Sequence, residues 1–409
     1  MGAIMFFKKL SILFLIVFLL SQINYINARG WLLNPVGENE YHAVEITGIE
    51  DIRHIGIDLN IHGQVVGYTR GRIGGLHAYY QGFLWSESDG IEYIQHSKAA
   101  VARSINDYGN IVGDSFYHPY STGNAFFIED GELNIICDYG HASAINNNNN
   151  IAGKCRHSSR ILWNYSENDW KMQMEDPNDN YFYIRDINEN NYLVGSFQSQ
   201  AFVASILYNG EMTSIGVLPG DHHSMPRSIN NHNEVVGWSR IVSRGGDYAF
   251  IWDEESGIRK LLSDGNFANA YGLNDNSIAV GSMGPSTGVH NRKAVMWEDE
   301  ETIYDLNDLV NNLPSSITLR YAIAINNNNQ ILAYSNCNIT DFPGIPGDFN
   351  RDYVVNTLDF AILAKHWLKE DCDSDECNMV DMTGSGDVNI GDLSIFLNNW
   401  LTNLNNYEN

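Results

Sequence analysis

Short apolar stretches alternate with Gly- and Asn-rich breaks from residue 38 to residue 338. The stretches are rich in β-branched, aliphatic and aromatic residues, as at Val65–Val66 and Ile111–Val112. No apolar period of 3.6 residues appears, so the pattern predicts strands and excludes a helical solenoid. One break, the five asparagines of "SAINNNNNIAGKC" from Ser143, reads in isolation as a low-complexity tract. Aligned with the others it is one frame of a repeat: "LNIHGQVVG" from Leu59, "INDYGNIVG" from Ile105, "INENNYLVG" from Ile187, "INNHNEVVG" from Ile229, "LNDNSIAVG" from Leu273 and "INNNNQILA" from Ile325.

The anchoring asparagines are Asn60, Asn106, Asn146, Asn188, Asn230, Asn274 and Asn326, spaced by 46, 40, 42, 42, 44 and 52 residues. Three residues after each anchor stand Gly63, Gly109, Asn149, Asn191, Asn233, Ser277 and Asn329, mostly residue types that tolerate positive φ. The pattern predicts a type I turn closing a hairpin through a bulge. Seven residues after the anchor the column is Gly in every copy but the last, which has Ala333. Each repeat adds a second strand such as "GFLW" ending at Trp85 or "AFIW" ending at Trp252, then a turn and a short fourth strand. Four antiparallel strands per repeat of this length predict propeller blades. The last repeat stops after two strands, and "YHAVEITGI" from Tyr41 reads as the missing outer pair. The expectation is an all-β, seven-bladed β-propeller over residues 38–338, with an open β-solenoid as the alternative.

Lys8 and Lys9 precede an unbroken apolar run, Leu10–Leu20, and a polar stretch ends in Ala28. Residues 1–28 therefore read as a secretory signal peptide, leaving no membrane span after cleavage and a secreted or cell-surface chain. The formal charge is −26, and the leader carries two lysines and no acid, so the exported part is more acidic still. Such a chain is repelled by phosphate backbones, which excludes nucleic acid as a partner. All five cysteines lie beyond the leader, where disulfides form. Cys372 and Cys377 are close enough to staple a loop; Cys137 and Cys155 could pair, leaving Cys337 odd.

After a Pro/Gly linker over residues 339–347 the pattern changes to two loop–helix units, over residues 348–402. "DFNRDYVVNTLD" (348–359) and "DMTGSGDVNIGD" (381–392) each place oxygen donors at positions 1, 3, 5, 9 and 12, with a main-chain carbonyl at 7. Hard oxygen donors at that spacing suit calcium. The first set is Asp348, Asn350, Asp352, Val354 carbonyl, Asn356 and Asp359; the second is Asp381, Thr383, Ser385, Asp387 carbonyl, Asn389 and Asp392. Two ions are expected, the first loop binding tighter because it has more carboxylates.

The repeat columns, "aIN..G.vvG" followed by "AFlW..G", resemble the HAF-type extracellular repeats, which implies a propeller and nothing about chemistry. The duplicated loop–helix, with Asp359 and Asp392 rather than Glu at position 12, resembles a type I dockerin. That resemblance implies a small α-helical calcium domain plugging into a cohesin-like module on a scaffold or cell surface, and a polysaccharide-degrading setting. Tyr353 stands where a Gly is expected at position 6. Thr357–Leu358 and Ile390–Gly391 replace the usual small hydroxyl pair at positions 10 and 11, so an unusual cohesin is implied.

In a propeller the loops between second and third strands share one face; here they are expected at 68–78, 114–124, 154–160, 196–200, 238–248 and 282–293. They carry Arg70, Arg72, Lys154, Arg156, Arg160, Arg240, Arg244, Arg292 and Lys293 against Asp114 and Asp247 alone. Tyr117, His118 and Trp238 are interleaved with them. A basic, aromatic face suits an anionic polysaccharide, guanidinium forks binding carboxylate or sulfate while rings stack on sugars. The expected function is a non-catalytic binding or presentation module. The alternative is a lyase or glycoside hydrolase on the same face, whose only loop acids are Asp114 and Asp247. His222–His223 would point to opposite faces of an extended chain, which argues against a metal pair.

Overall fold

The computed structural model describes residues 29–37, 39–46, 53–73, 77–95, 99–116, 123–138, 140–155, 160–166, 169–175, 182–198, 202–241, 246–264, 267–285, 292–315 and 317–335. In the C-terminal part it describes Phe360, Leu363, Ala364, Trp367 and residues 388–393. The expected leader and linker and most of the two donor-rich loops lie outside the described residues.

Six four-stranded antiparallel sheets follow one another along the chain. Blade 1 is β3 (Arg53–Leu59), β4 (Val65–Ile73), β5 (His77–Ser86) and β6 (Gly90–Tyr93). Blade 2 is β7 (Ala99–Ile105), β8 (Ile111–Phe116), β9 (Asn124–Glu129) and β10 (Glu132–Cys137). Blade 3 is β11 (Gly140–Ile145), β12 (Asn150–Cys155), β13 (Arg160–Ser166) and β14 (Asp169–Glu175). Blade 4 is β15 (Phe182–Ile187), β16 (Leu193–Gln198), β17 (Phe202–Tyr208) and β18 (Glu211–Gly216). Blade 5 is β19 (His223–Ile229), β20 (Val235–Ile241), β21 (Gly246–Asp253) and β22 (Gly257–Lys260). Blade 6 is β23 (Phe267–Leu273), β24 (Ala279–Gly284), β25 (Lys293–Trp297) and β26 (Ile303–Asp305), followed by a one-turn helix, α1 (Leu306–Leu309).

These are six contiguous blades where seven repeats had led to an expectation of seven. The seventh repeat supplies only β27 (Leu319–Ile325) and β28 (Ile331–Ser335). Its sheet is completed from the other end of the chain, in the order β2–β1–β28–β27, by β1 (Arg29–Gly37) and β2 (Glu40–Glu45). The closing strand beside β28 is thus Arg29–Gly37, ahead of the boundary expected at residue 38, and the segment from Tyr41 supplies the outermost strand. Pro35 hides β1 from sequence reading, because proline is rare inside strands; the strand tolerates it at a register shift.

Apolar side chains pack in the seams rather than in one centre. Leu33, Ala43 and Ala333 of the composite sheet meet Val280, Ala294 and Met296 of blade 6. Leu32 and Leu332 meet Val65, Phe83 and Trp85 of blade 1. The same arrangement holds at the seams between blades 1 and 2, 2 and 3, 3 and 4, 4 and 5, and 5 and 6. Alternating inward residues of neighbouring sheets therefore bury one another, and each blade needs its neighbours.

The innermost strands β3, β7, β11, β15, β19, β23 and β27 contact one another in succession, and β27 returns to β3. At the turn ending each innermost strand, the anchoring Asn Oδ1 accepts from the backbone N–H two and four residues on, for example from Asn148 at 3.1 Å and Asn150 at 3.0 Å in blade 3. Its Nδ2 reaches the next turn. Asn60 donates to the Asn106 carbonyl, Asn106 to Asn146, Asn146 to Asn188, Asn188 to Asn230, Asn230 to Asn274 and Asn274 to Asn326, all within 3.0–3.2 Å. Asn326 donates to the Asn60 carbonyl at 2.8 Å and closes the circle. An open solenoid has no such closing bond.

The column three residues past the anchor takes positive φ throughout, from 56° at Asn149 to 84° at Gly109. Its asparagines also serve the preceding blade. Asn149, Asn191, Asn233 and Asn329 each accept, through Oδ1, the second Nδ2 hydrogen of the anchor before them. Where that column holds Gly109, Gly63 or Ser277, the preceding anchor donates instead to its own Gln64, Gln330 or Glu234. A buried amide needs both hydrogens matched, and the repeats supply the second acceptor in one of these two ways.

The recurrent glycine seven residues past the anchor has a packing cause. A Cβ on Gly67, Gly113, Gly153, Gly195, Gly237 or Gly281 would collide with the carbonyl oxygen of Ile55, Val101, His141, Tyr183, Met225 or Asn269 on the adjoining innermost strand. Among the described residues no helix is long and apolar enough to cross a membrane, a statement that leaves strand-based spans aside.

Candidate functional site

Several residues expected in face loops stand on strands. Arg70 and Arg72 belong to β4, Arg160 to β13, and Trp238 and Arg240 to β20. The hairpin arms run past the glycine column because the pairing continues, Tyr68 opposite Gly82 and Arg70 opposite Tyr80. Arg156, Arg244, Tyr117 and His118 lie outside the described residues, as do the side chains of Arg70, Arg72 and Arg160.

Trp238, Arg240 and Arg292 are brought together at the seam of blades 5 and 6. Alternate residues of a strand share a face, so Arg240 lies over the Trp238 ring, its Cζ 4.8 Å from the centroid. Its Nε donates to Asp247 Oδ1 on β21. With the Asn269 amide oriented to satisfy both of its neighbours, its nitrogen donates to Asp247 Oδ2 at 3.1 Å and its oxygen accepts from Arg292 Nη1 at 3.0 Å. Arg292 Nη1 also donates to Ser282 Oγ at 3.1 Å, and that hydroxyl lies 3.4 Å from the Tyr271 hydroxyl. Arg227, on β19, faces the Tyr271 ring with its Cζ 5.8 Å from the centroid. Arg227 and Tyr271 were not singled out in the sequence; the signal that could have found them is the position three residues before each anchor.

Electrostatically the cluster holds Arg227, Arg240 and Arg292 against Asp247. Burial lowers the Arg227 pKa, with Tyr271 and Asp247 pulling the other way. Burial also lowers the His223 pKa, Arg240 and His222 adding to it. His223 Nδ1 accepts from the Phe202 N–H at 3.1 Å while His222 is exposed, so the two rings do not converge on an ion. Among the described residues no His, Cys, Asp and Glu cluster is arranged to hold a metal.

The acids of the hydrolase alternative are both committed. Asp114, buried, pairs with Arg103 Nε and accepts from the Ala142 N–H, and Asp247 is paired with Arg240. His141, on β11, has its pKa lowered, by desolvation first, with Arg103, Lys154 and Arg185 adding to it against Asp114. Of the cysteines, Cys137 on β10 and Cys155 on β12 form a disulfide between blades 2 and 3, Cα–Cα 6.2 Å; Cys372 and Cys377 lie outside the described residues.

In the C-terminal part, the described end of the second donor-rich loop is a capping box. Asn389 precedes the helical turn at Ile390; its Oδ1 accepts from the Gly391 N–H at 2.8 Å, and Asp392 Oδ2 accepts from the Asn389 N–H at 2.8 Å. The Asp392 carboxylate is fully buried at the start of a helix. Buried, oriented oxygen donors fit the hard-ligand chemistry of calcium. The remaining expected ligands, Asp348, Asn350, Asp352, Val354, Asn356, Asp359, Asp381, Thr383, Ser385 and Asp387, lie outside the described residues.

Residues 346–401 match the family model described as the dockerin type I domain. A type I dockerin domain thus follows the propeller; such domains bind calcium and dock onto cohesins. No curated protein matches the chain in sequence. Among solved structures, the propeller is similar to the β-propeller domain of the trilobed protease of Pyrococcus furiosus, at 12% identity and TM-score 0.46, over 68% of this chain and 86% of that one. It is also similar to virginiamycin B lyase of Staphylococcus aureus, at 9% identity and TM-score 0.42, over 76% of this chain and 100% of that one.

Proposed function

We propose that the protein is a secreted, non-catalytic binding propeller, carried by its dockerin domain into an extracellular, polysaccharide-degrading assembly. The observation that carries the docking half is the dockerin match over residues 346–401. We count the composite sheet as a seventh blade, a reading supported by the circle of seven anchoring asparagines. The kinship with HAF-type repeats rests on the sequence columns.

The ligand half is supported by the Trp238–Arg240–Arg292 cluster. It gathers guanidinium groups and an indole on a chain whose formal charge is −26. Arg240 and Asp247 largely cancel, leaving Arg292 and Arg227 to attract an anion, while the buried Trp238 ring holds the Arg240 guanidinium in place. An anionic polysaccharide is the class this chemistry fits. The calcium half assigns one ion to each loop, and each ion would hold its loop in shape for the helix that follows.

Two measurements test the proposal. Calorimetric titration of the metal-free chain is expected to give two calcium ions, with Asp348→Ala removing the tighter step and Asp381→Ala the weaker; a single step overturns the two-ion assignment. Retention on immobilised polygalacturonate or a sulfated glycan is expected to fall on Arg240→Ala and Trp238→Ala, and equal retention overturns the ligand half. Release of unsaturated or reducing ends during that assay would establish the lyase or hydrolase alternative instead.

A further inference from the structure

In each innermost strand the register skips the residue three before the anchor: Ile57, Arg103, Ser143, Arg185, Arg227, Tyr271 and Ile323, with a second skip in β27 at Arg320. A bulge inserts an extra residue and re-aims its side chain. The residue before each, from Gly56 to Ala322, is buried, whereas all seven bulged residues are half-buried. On a strand whose two flanks are filled by neighbouring blades, that surface faces the central axis. The propeller therefore presents one side chain per repeat to its axis from a recurrent kink in the backbone.

The kink does not require charge, because Ile57, Ser143, Tyr271 and Ile323 occupy it as well. Blades 2, 4 and 5 place Arg103, Arg185 and Arg227 there, and Arg103 is paired with Asp114. Arg227 Nε is buried with no hydrogen-bond partner, an expensive state for a cation. Arg185 Nη2 reaches Met225 Sδ at 3.5 Å, on the same strand as Arg227 and two residues before it, so the two guanidinium stems lie on one seam. Tyr271 of blade 6 faces Arg227 from the other side.

We propose that the axis at blades 4 to 6 holds a seat for one oxyanion, a carboxylate or sulfate borne by the ligand. Arg227 is its principal fork, Arg185 flanks it, and Tyr271 provides the apolar wall. This rests on the reading that the adjoining seam binds an anionic glycan, and adds how the glycan enters. His223 pairs with Arg240 at the rim, and Arg227 lies four residues further along β19, about 13 Å at roughly 3.3 Å per residue. A ligand touching both inserts an end toward the axis rather than lying flat across the face. The seat thus selects a terminal acidic residue.

The test uses the full-length calcium-loaded protein with glucuronate, glucose 6-sulfate and neutral glucose as probes, read by calorimetry. The wild type is expected to bind at least one of the two anions and not glucose. Arg227→Met is expected to weaken binding about 10- to 100-fold, the scale of a charge-assisted hydrogen-bond pair. It should leave Tm unchanged or raised, because it removes a cation whose buried Nε has no hydrogen-bond partner. Arg227→Lys, which keeps the charge and loses the fork, is expected to fall between the two. Unchanged affinity in Arg227→Met, a lowered Tm, or no anion binding by the wild type overturns the seat. Polymer retention lost in Arg240→Ala but kept in Arg227→Met overturns the seat and spares the rim reading. Monomer binding through Arg227 without any polymer retention does the reverse.

Discussion

Replacing Asn146 by Ala probes the circle of asparagines at one link. The buried side chain makes four hydrogen bonds: Oδ1 accepts from Asn148 N and Asn150 N at 3.1 and 3.0 Å, and Nδ2 donates to the Asn188 carbonyl and Asn191 Oδ1, both at 3.0 Å. At about 1 kcal/mol net for each, the variant loses about 4 kcal/mol. Water reaching the exposed Asn148 amide would recover part, so a loss of about 2–4 kcal/mol is expected from urea unfolding followed by tryptophan fluorescence. Asn148→Ala is the control: its side chain is exposed, with its Nδ2 3.5 Å from Glu189, and its loss should stay below about 1 kcal/mol. Asn146→Asp sharpens the test. It keeps the acceptor for the two backbone amides and turns its other oxygen toward two acceptors. At pH 7 it should be less stable than Asn146→Ala, and it should recover on acidification as the carboxyl gains a proton to donate. A harmless Asn146→Asp at pH 7, or an Asn146→Ala loss no larger than the control's, would refute the reasoning.

Three further outcomes are expected. Gly153→Ala drives a Cβ into the His141 carbonyl oxygen and should cost about 1–3 kcal/mol in the same unfolding experiment. The Cys137–Cys155 bridge closes a loop of sequence separation 18, so a Cys137→Ala/Cys155→Ala variant should lose about 3 kcal/mol and its propeller transition should no longer respond to reductant. Asp58 has its carboxyl pushed up to about 6 by burial, against the hydrogen bonds from Ser104 Oγ and the Ile105 and Leu59 N–H groups. A carboxyl raised above its ordinary 3.8 is bound to its proton more tightly in the folded state. Its contribution is therefore present below about pH 4 and lost as pH rises through about 6, about 3 kcal/mol across the window. Asp58→Asn should flatten the pH dependence of stability there, and an unchanged slope would assign it to other groups.

The repeat was legible because a turn that must take positive φ and satisfy its own backbone amides admits few residue types. Asn146, Asn149 and Gly153 therefore stand in columns visible without coordinates, and those columns predict a propeller. The donor spacing of 348–359 and 381–392 is likewise written locally, since a calcium loop draws its ligands from twelve consecutive residues. Sequence also offered Arg240, Arg292 and Trp238 as candidates, by local excess of charge.

Long-range pairing was decided elsewhere. That β1 closes the sheet of β28 depends on contacts between residues some 300 positions apart, and Pro35 disguises the strand. Nothing local shows that Asn149 accepts from Asn106 in the blade before it, or that Gln64 substitutes where the next turn has Gly109. The same holds for Arg227 as a candidate contact. A bulge is a mismatch between two strands, so only their pairing reveals which side chain it turns toward the axis. Asn146 to Asn150 specify a turn by themselves; that the turn is one link in a closed circle is a property of the ring, because each link's second partner belongs to the next blade.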